Sequence, residues 1–166
     1  MRSILLTQGY KVLVDDEDYE ELSKYQWTYD SSTGYAKRRD GAETIRMHRY
    51  ILNAPRHLET DHKDGNGLNN SRSNLRLCTH TQNAMNRISR PGSSSIYKGV
   101  GWDKTRNKWV CRIVVEQYTY NLGRYESEIQ AAVFYDIAAV HFFGEFARLN
   151  FPEYKGTYEA YWEAKE

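Results

Sequence analysis

LETDHKDGNGLNNSRSNLRLCTHTQNAMNR, residues 58–87, is a dense run of chemistry-bearing side chains. Residues 58–62 read as the end of a strand, Lys63-Asp64-Gly65-Asn66 as a turn and 75–78 as a second strand. Thr79-His80-Thr81-Gln82 is a capping box that opens a helix. The order is strand, loop, strand, helix. Asp61 and His62 are adjacent, and Asn83 follows His62 by twenty-one positions, in the first turn of the helix, where a compact ββα unit folds it back beside the first strand. An Asp and an Asn supply hard oxygen ligands for a magnesium-like ion that keeps most of its waters, and the neighbouring imidazole is left for proton transfer. Taken singly, each residue also fits a plainer role. Asp-His pairs are common surface decoration, an Asn near a helix start caps it, and Asn69, Asn70 and Asn74 suit turns because Asn tolerates the left-handed region.

Working outward, the 166 residues are 40% apolar, enough for one or two small cores and too few for a large multidomain enzyme. No run approaches the roughly 18 apolar residues of a bilayer span, and charge interrupts the first residues before a signal-peptide core forms. The expectation is a soluble protein of the cytoplasm, without a membrane partner. Cys78 and Cys111 belong to no CxxC pair, which argues against a thiolate zinc knuckle or a disulfide framework and for small apolar side chains in strands. Net charge is only +1, but it is segregated: residues 15–21 (DDEDYEE) hold six carboxylates, whereas 87–124 hold eight Lys/Arg against Asp103 and Glu116. Such segregation can make a positive face on a nearly neutral chain.

The joint pattern DHxDGNxxNNxxxNLRxxT followed by QNxxNR resembles the HNH (ββα-metal) nucleases, especially the small phage and bacterial intron-associated homing endonucleases. The resemblance implies a general base at His62, metal ligands at Asp61 and Asn83, and in Asn74 the middle asparagine that ties the loop and orients the histidine. With Asn rather than His at position 83 it implies one Mg2+ or Mn2+ ion per site rather than zinc. Met47-His48-Arg49 matches a segment often seen upstream in these nucleases; packing and a phosphate contact by Arg49 both fit it. His80 reads as a surface residue at a helix start, and His57 and His141 as structural.

Ser89-Arg90-Pro91-Gly92-Ser93-Ser94-Ser95 reads as a linker. Upstream, 11–14 suits a strand, 16–25 a helix, 27–29 and 35–37 strands around a Ser-Ser-Thr-Gly turn, and 45–52 either a strand or a short helix. Downstream, 97–102, 109–116 and 118–124 suit three antiparallel strands. Ser127 then caps a helix with apolar Ala131, Tyr135, Ala138 and Phe142 and a stop at Gly144. The tail from 154 reads as short, charged and frayed.

This downstream segment resembles the APETALA2/ethylene-response-factor DNA-binding domain, through Tyr97-Lys98-Gly99-Val100, Lys108-Trp109, Leu122-Gly123, the run from Glu128 to Ala139 and Leu149-Asn150-Phe151-Pro152. The resemblance implies a sheet laid in the major groove, with Lys98, Trp102, Trp109, Arg112 and Arg124 as contacts; the tryptophans also fit a core beneath the helix. Gly101 and Asn121 depart from the plant domains, so their sequence preference does not transfer.

The expectation is thus an α+β chain: a nuclease domain at 1–90 with an N-terminal strand-rich extension, a linker at 91–96, a DNA-binding domain at 97–152 and a tail at 153–166. The expected partner is double-stranded DNA, cut by a homing-type endonuclease that is a monomer or homodimer. The second reading is a catalytically silent DNA-binding regulator, against which Asp61, His62 and Asn83 argue.

Overall fold

The computed structural model of the chain describes residues 1–87 and 92–164; Ser89, Arg90 and Pro91 of the expected linker lie outside the described residues. The chain folds as two units, Met1–Asn83 and Ala84–Glu166, of mixed helices and small antiparallel sheets. Among the described residues, no helix is long and apolar enough to cross a membrane.

In the first unit, β1 (Arg2–Leu5) pairs antiparallel with β2 (Lys11–Val14), whose Val12 and Val14 are buried while Lys11 and Leu13 face outward. The acidic α1 (Asp16–Leu22) has Asp16, Glu17 and Asp18 in its first turn, where carboxylates suit the positive end of the helix dipole. It stops at Leu22, short of the expected Tyr25, where the buried Trp27 donates Nε1–H to the Leu22 carbonyl at 2.8 Å. β3 (Thr28–Asp30), β4 (Tyr35–Asp40) and β5 (Glu43–Arg46) form a second antiparallel sheet. Residues 45–52 turn out to be strand and helix in succession: β5 ends at Arg46, and α2 (Met47–Ile51) buries Met47, His48 and Ile51.

β6 (Glu59–His62) then pairs antiparallel with β7 (Leu75–Cys78), Asp61 opposite Arg76 and His62 opposite Leu75, and α3 (His80–Met85) follows. A bridge from Leu13 to Asn69 stitches the β6–β7 loop to the first hairpin: Leu13 N donates to Leu68 O and Asn70 N to Leu13 O, both at 2.8 Å. Leu6, Val12, Val14, Leu22, Trp27, Met47 and Leu75 share the core beneath.

In the second unit, β8 (Val100–Asp103), β9 (Lys108–Val115) and β10 (Tyr118–Tyr125) form a sheet in the order β10-β9-β8, packed on α4 (Glu128–Phe143). The first strand starts at Val100 rather than Tyr97. Gly99 holds φ +75°, and a Cβ there would lie 1.9 Å from the Tyr135 ring, so only glycine lets the chain turn onto the sheet at that spot. Ser127 Oγ accepts from Gln130 N at 3.4 Å to cap α4. Ala131, Tyr135 and Ala138 are buried as expected, but Phe142 is exposed and Phe143 takes the core position. Asp136 is buried and accepts from Asn150 N (2.8 Å), Asn150 Nδ2 (3.1 Å) and Phe151 N (2.8 Å), which clamps the Leu149–Pro152 motif to the helix. The tail is not frayed: α5 (Lys155–Glu163) buries Tyr158, and Trp162 stacks on His141 at 4.2 Å and donates Nε1–H to Ile137 O at 2.7 Å.

Candidate functional site

The β6–β7 loop is built by amide and carboxylate side chains. Asn74 Nδ2 donates to Asp64 Oδ1 (3.0 Å) and Asn69 O (2.8 Å), while its Oδ1 accepts from Asp64 N (3.0 Å), so all three of these contacts lock the middle of the loop. Partial burial pushes the Asp64 carboxyl up, but donors from Asn66, Asn69 and Asn74 outweigh it and hold the group below the usual carboxylate range. From outside, Arg72 grips Asp18 at 2.9 and 2.7 Å and Glu17 at 2.7 Å, and its backbone N–H bonds Asp15. Asp15, Glu17 and Asp18 of the acidic run therefore anchor the loop. Arg49 is spent on the carbonyls of Ala54, Pro55 and Leu58, which lead into β6.

Successive side chains of β6 point to opposite faces. His62, 4% exposed, shares its face with Thr60. Its ring stacks on Tyr35 (5.4 Å, 13°) and meets His48 edge-on (5.0 Å). Nε2 lies 3.4 Å from Asn70 Oδ1, and Asn70 Nδ2 donates to Gly67 O. With the amide so turned, Nε2 carries the proton in the neutral ring and Nδ1 keeps its lone pair. Burial lowers the His62 pKa and outweighs the opposing pull of Asn70, Asp64 and Asp61; burial also drives His48 down to about 3. Both rings are neutral at neutral pH. Gly67 makes the cluster possible, since a Cβ there would lie 2.4 Å from Gly34 O and 2.6 Å from the Tyr35 ring.

On the other face of β6, Asp61, 5% exposed, accepts from Arg76 Nε (2.8 Å) and a terminal guanidinium nitrogen (2.7 Å). Two residues along the same face, Glu59 takes Asn83 Nδ2 on one oxygen (2.6 Å) and His80 Nδ1 on the other (2.8 Å). His80 and Asn83, three apart on α3, lie on one helix face, which is why both reach the same carboxylate. Asn83 therefore meets β6 at Glu59, and His80, a surface residue at the helix start as expected, also reaches that carboxylate. Among the described residues, no group of three or more His, Cys, Asp or Glu side chains is arranged to hold a metal. A magnesium-like ion that keeps most of its waters needs few protein oxygens, and the Asp61 carboxylate and Asn83 amide suit that chemistry. Cys78, its thiol pushed up to about 11 chiefly by burial, is a packing residue.

In the second unit, register separates the expected contacts. Trp102 and Trp109 face each other across β8–β9 (5.0 Å between rings), on the side of Cys111 and Ile113 that packs on α4. Trp102 is 37% exposed at its edge. Arg112 is exposed on the opposite side of β9, beside a shallow cleft of ≈ 590 Å³ also lined by Trp102, Asp103, Lys104, Arg106 and Arg124. Arg124 Nε bonds Asp103 Oδ2 at 2.9 Å. Lys98 faces its own unit's backbone: its ammonium donates to Met85 O, its N–H to Asn150 Oδ1 at 2.7 Å, and burial lowers its pKa to about 8. Trp102, Arg112 and Arg124 thus border one cleft, whereas Trp109 packs toward the helix, as alternation along β9 requires, and Lys98 onto its own unit's backbone.

Sequence reasoning missed Tyr35, Asn70, Glu59 and Arg76 as neighbours of the site. For Arg76, its place opposite Asp61 in a two-strand ribbon was a usable signal.

Residues 53–85 match the family described as HNH endonuclease. The chain is 34% identical over 149 residues to an uncharacterized HNH endonuclease, L560, of Acanthamoeba polyphaga mimivirus, spanning 86% of this chain and 76% of that protein. It is 33% identical over 97 residues to protein 3.8 of Escherichia phage T7, spanning 58% of this chain and 78% of that one. No solved structure matches.

Proposed function

Because this chain belongs to the HNH endonuclease family, we propose that it is a metal-dependent endonuclease that hydrolyses phosphodiester bonds of double-stranded DNA, with a homing-type, site-directed role. The observation that carries this reading is the buried His62 at the end of β6, beside Asp61, where burial disfavours the charged imidazole and Asn74 locks the loop that follows. His62 Nδ1 takes a proton from water, and the resulting hydroxide attacks the phosphorus in line. Asp61, oriented by Arg76, and the Asn83 amide oxygen would hold Mg2+ or Mn2+. When bound, that ion supplies positive charge to the phosphoryl oxygens and the leaving 3′ oxygen. Ends bearing 5′-phosphate and 3′-hydroxyl follow. One site per chain makes a double-strand cut the work of a homodimer or of two successive nicks.

The second unit, in this reading, is an APETALA2-like module that brings DNA to the nuclease through Arg112, with Arg124 tuned by Asp103. Trp102 adds its exposed edge, whereas Trp109 and Lys98 support the sheet from its own side.

Supercoiled plasmid incubated with Mg2+ or Mn2+ tests the reading. Nicking that EDTA abolishes and His62→Ala slows is the expected result. Metal-independent DNA binding with no strand scission under either ion would favour the silent regulator.

A further inference from the structure

Asn83 brings an asymmetric group to the site, since one end of its amide donates and the other accepts. Glu59 Oε2 lies 2.6 Å from the Asn83 amide nitrogen. An ionised carboxylate only accepts, so this contact is possible only with the NH2 end turned to Glu59. The carbonyl end is then directed away from Glu59. The carboxylate is itself held, because its second oxygen lies 2.8 Å from His80 Nδ1, one helical turn before Asn83. Glu59 also extends from the same face of β6 as Asp61.

We infer that Glu59, braced by His80, is a positioning residue that sets the Asn83 amide with its oxygen toward the divalent ion. This rests on the reading of Asp61 and Asn83 as ligands. Without Glu59 the amide turns freely about its terminal torsion and presents nitrogen as readily as oxygen, and an amide nitrogen is no ligand for Mg2+ or Mn2+. Partners that orient a ligand in this way are worth about 10- to 100-fold in metal affinity.

The test is Mn2+ titration of the full-length protein without DNA, following the electron paramagnetic resonance signal of free Mn2+, with thermal melts of each variant. Asn83→Ala is expected to weaken Mn2+ binding, and Glu59→Ala to weaken it by about 10- to 100-fold. Glu59→Met keeps a straight side chain of similar length but offers the Asn83 amide no acceptor, and it is also expected to weaken Mn2+ binding. A normal Mn2+ midpoint in Glu59→Ala beside a weakened Asn83→Ala would overturn the positioning role alone. A normal midpoint in Asn83→Ala would overturn the ligand assignment and this inference together. Should Glu59→Ala fail to fold, Glu59→Met decides: a normal Mn2+ midpoint there beside a weakened Asn83→Ala sinks the proposal.

Discussion

The two faces of β6 are one residue apart in sequence and opposite in character. On one side His62 lies among Tyr35, His48 and an asparagine, where burial keeps imidazoles neutral. On the other, Asp61 and Glu59 are engaged by Arg76, His80 and Asn83, a face of charges and hydrogen bonds. A two-residue period thus separates a neutral cluster around His62 from a charged one around Asp61 and Glu59, using backbone geometry alone. Carboxylates on the imidazole's own face would raise its pKa and favour the charged form.

The comparison breaks most sharply at the base. His62→Ala should lower the single-turnover cleavage rate by about 10² to 10⁴ while leaving DNA affinity nearly unchanged, because a general base contributes little to ground-state binding. Equal cleavage rates in variant and parent would remove His62 from that role.

On the charged face the largest effect is on stability. Asp61→Ala leaves the Arg76 guanidinium, 10% exposed as a side chain, without its carboxylate, and should cost about 3–5 kcal/mol in urea unfolding. Replacing both partners, Asp61→Leu with Arg76→Met, should recover most of that loss yet restore no cleavage. A double variant as unstable as the single one would show that the pair is not a coupled unit.

The neutral face should reveal itself in acid. His48 has a folded pKa of about 3 against an ordinary value of 6.5, so below 6.5 the unfolded chain takes up a proton that the folded chain refuses. Stability is therefore complete above pH 6.5 and falls as pH drops toward 3, by about 1.4 kcal/mol per pH unit for this one group. His62, also lowered, adds to the same slope. His48→Phe should make urea midpoints measured between pH 7 and pH 4 less steep; an unchanged slope would mean that His48 is charged in the folded state.

The smallest effect belongs to the second unit, where register again divides a strand into two faces. Arg112→Ala should lower the slope of log affinity against log salt by about 0.9 on duplex DNA if it meets one phosphate. Trp109→Phe, on the helix side, should leave that slope alone and change only the melting temperature. The reverse pattern would exchange the roles of the two faces.

Much of this was legible beforehand. The strand–loop–strand–helix order around Asp61, the asparagine-built loop and the Ser127 cap follow from residues close together in the chain. Even α5 had a local signal, Tyr154, Tyr158 and Trp162 spaced by four, that composition hid behind charge. The acidic run of 15–21 was visible as charge but not as a partner, because Arg72 meets Asp18 across 54 positions.

The sequence alone determined which chemistry the chain carries: a histidine, an aspartate and two asparagines at motif spacing, fixed by short-range turn and strand geometry. Folding determined what surrounds them. Tyr35 and His48 come to His62 from another sheet and from α2, and Glu59 meets Asn83 across 24 positions of sequence. Trp109 turns inward because the pairing of β9 with β8 and α4 sets which of its two faces is buried. Local rules choose residue types and elements, whereas desolvation, ring contacts and strand face arise from long-range packing, where one residue of register exchanges inside for outside.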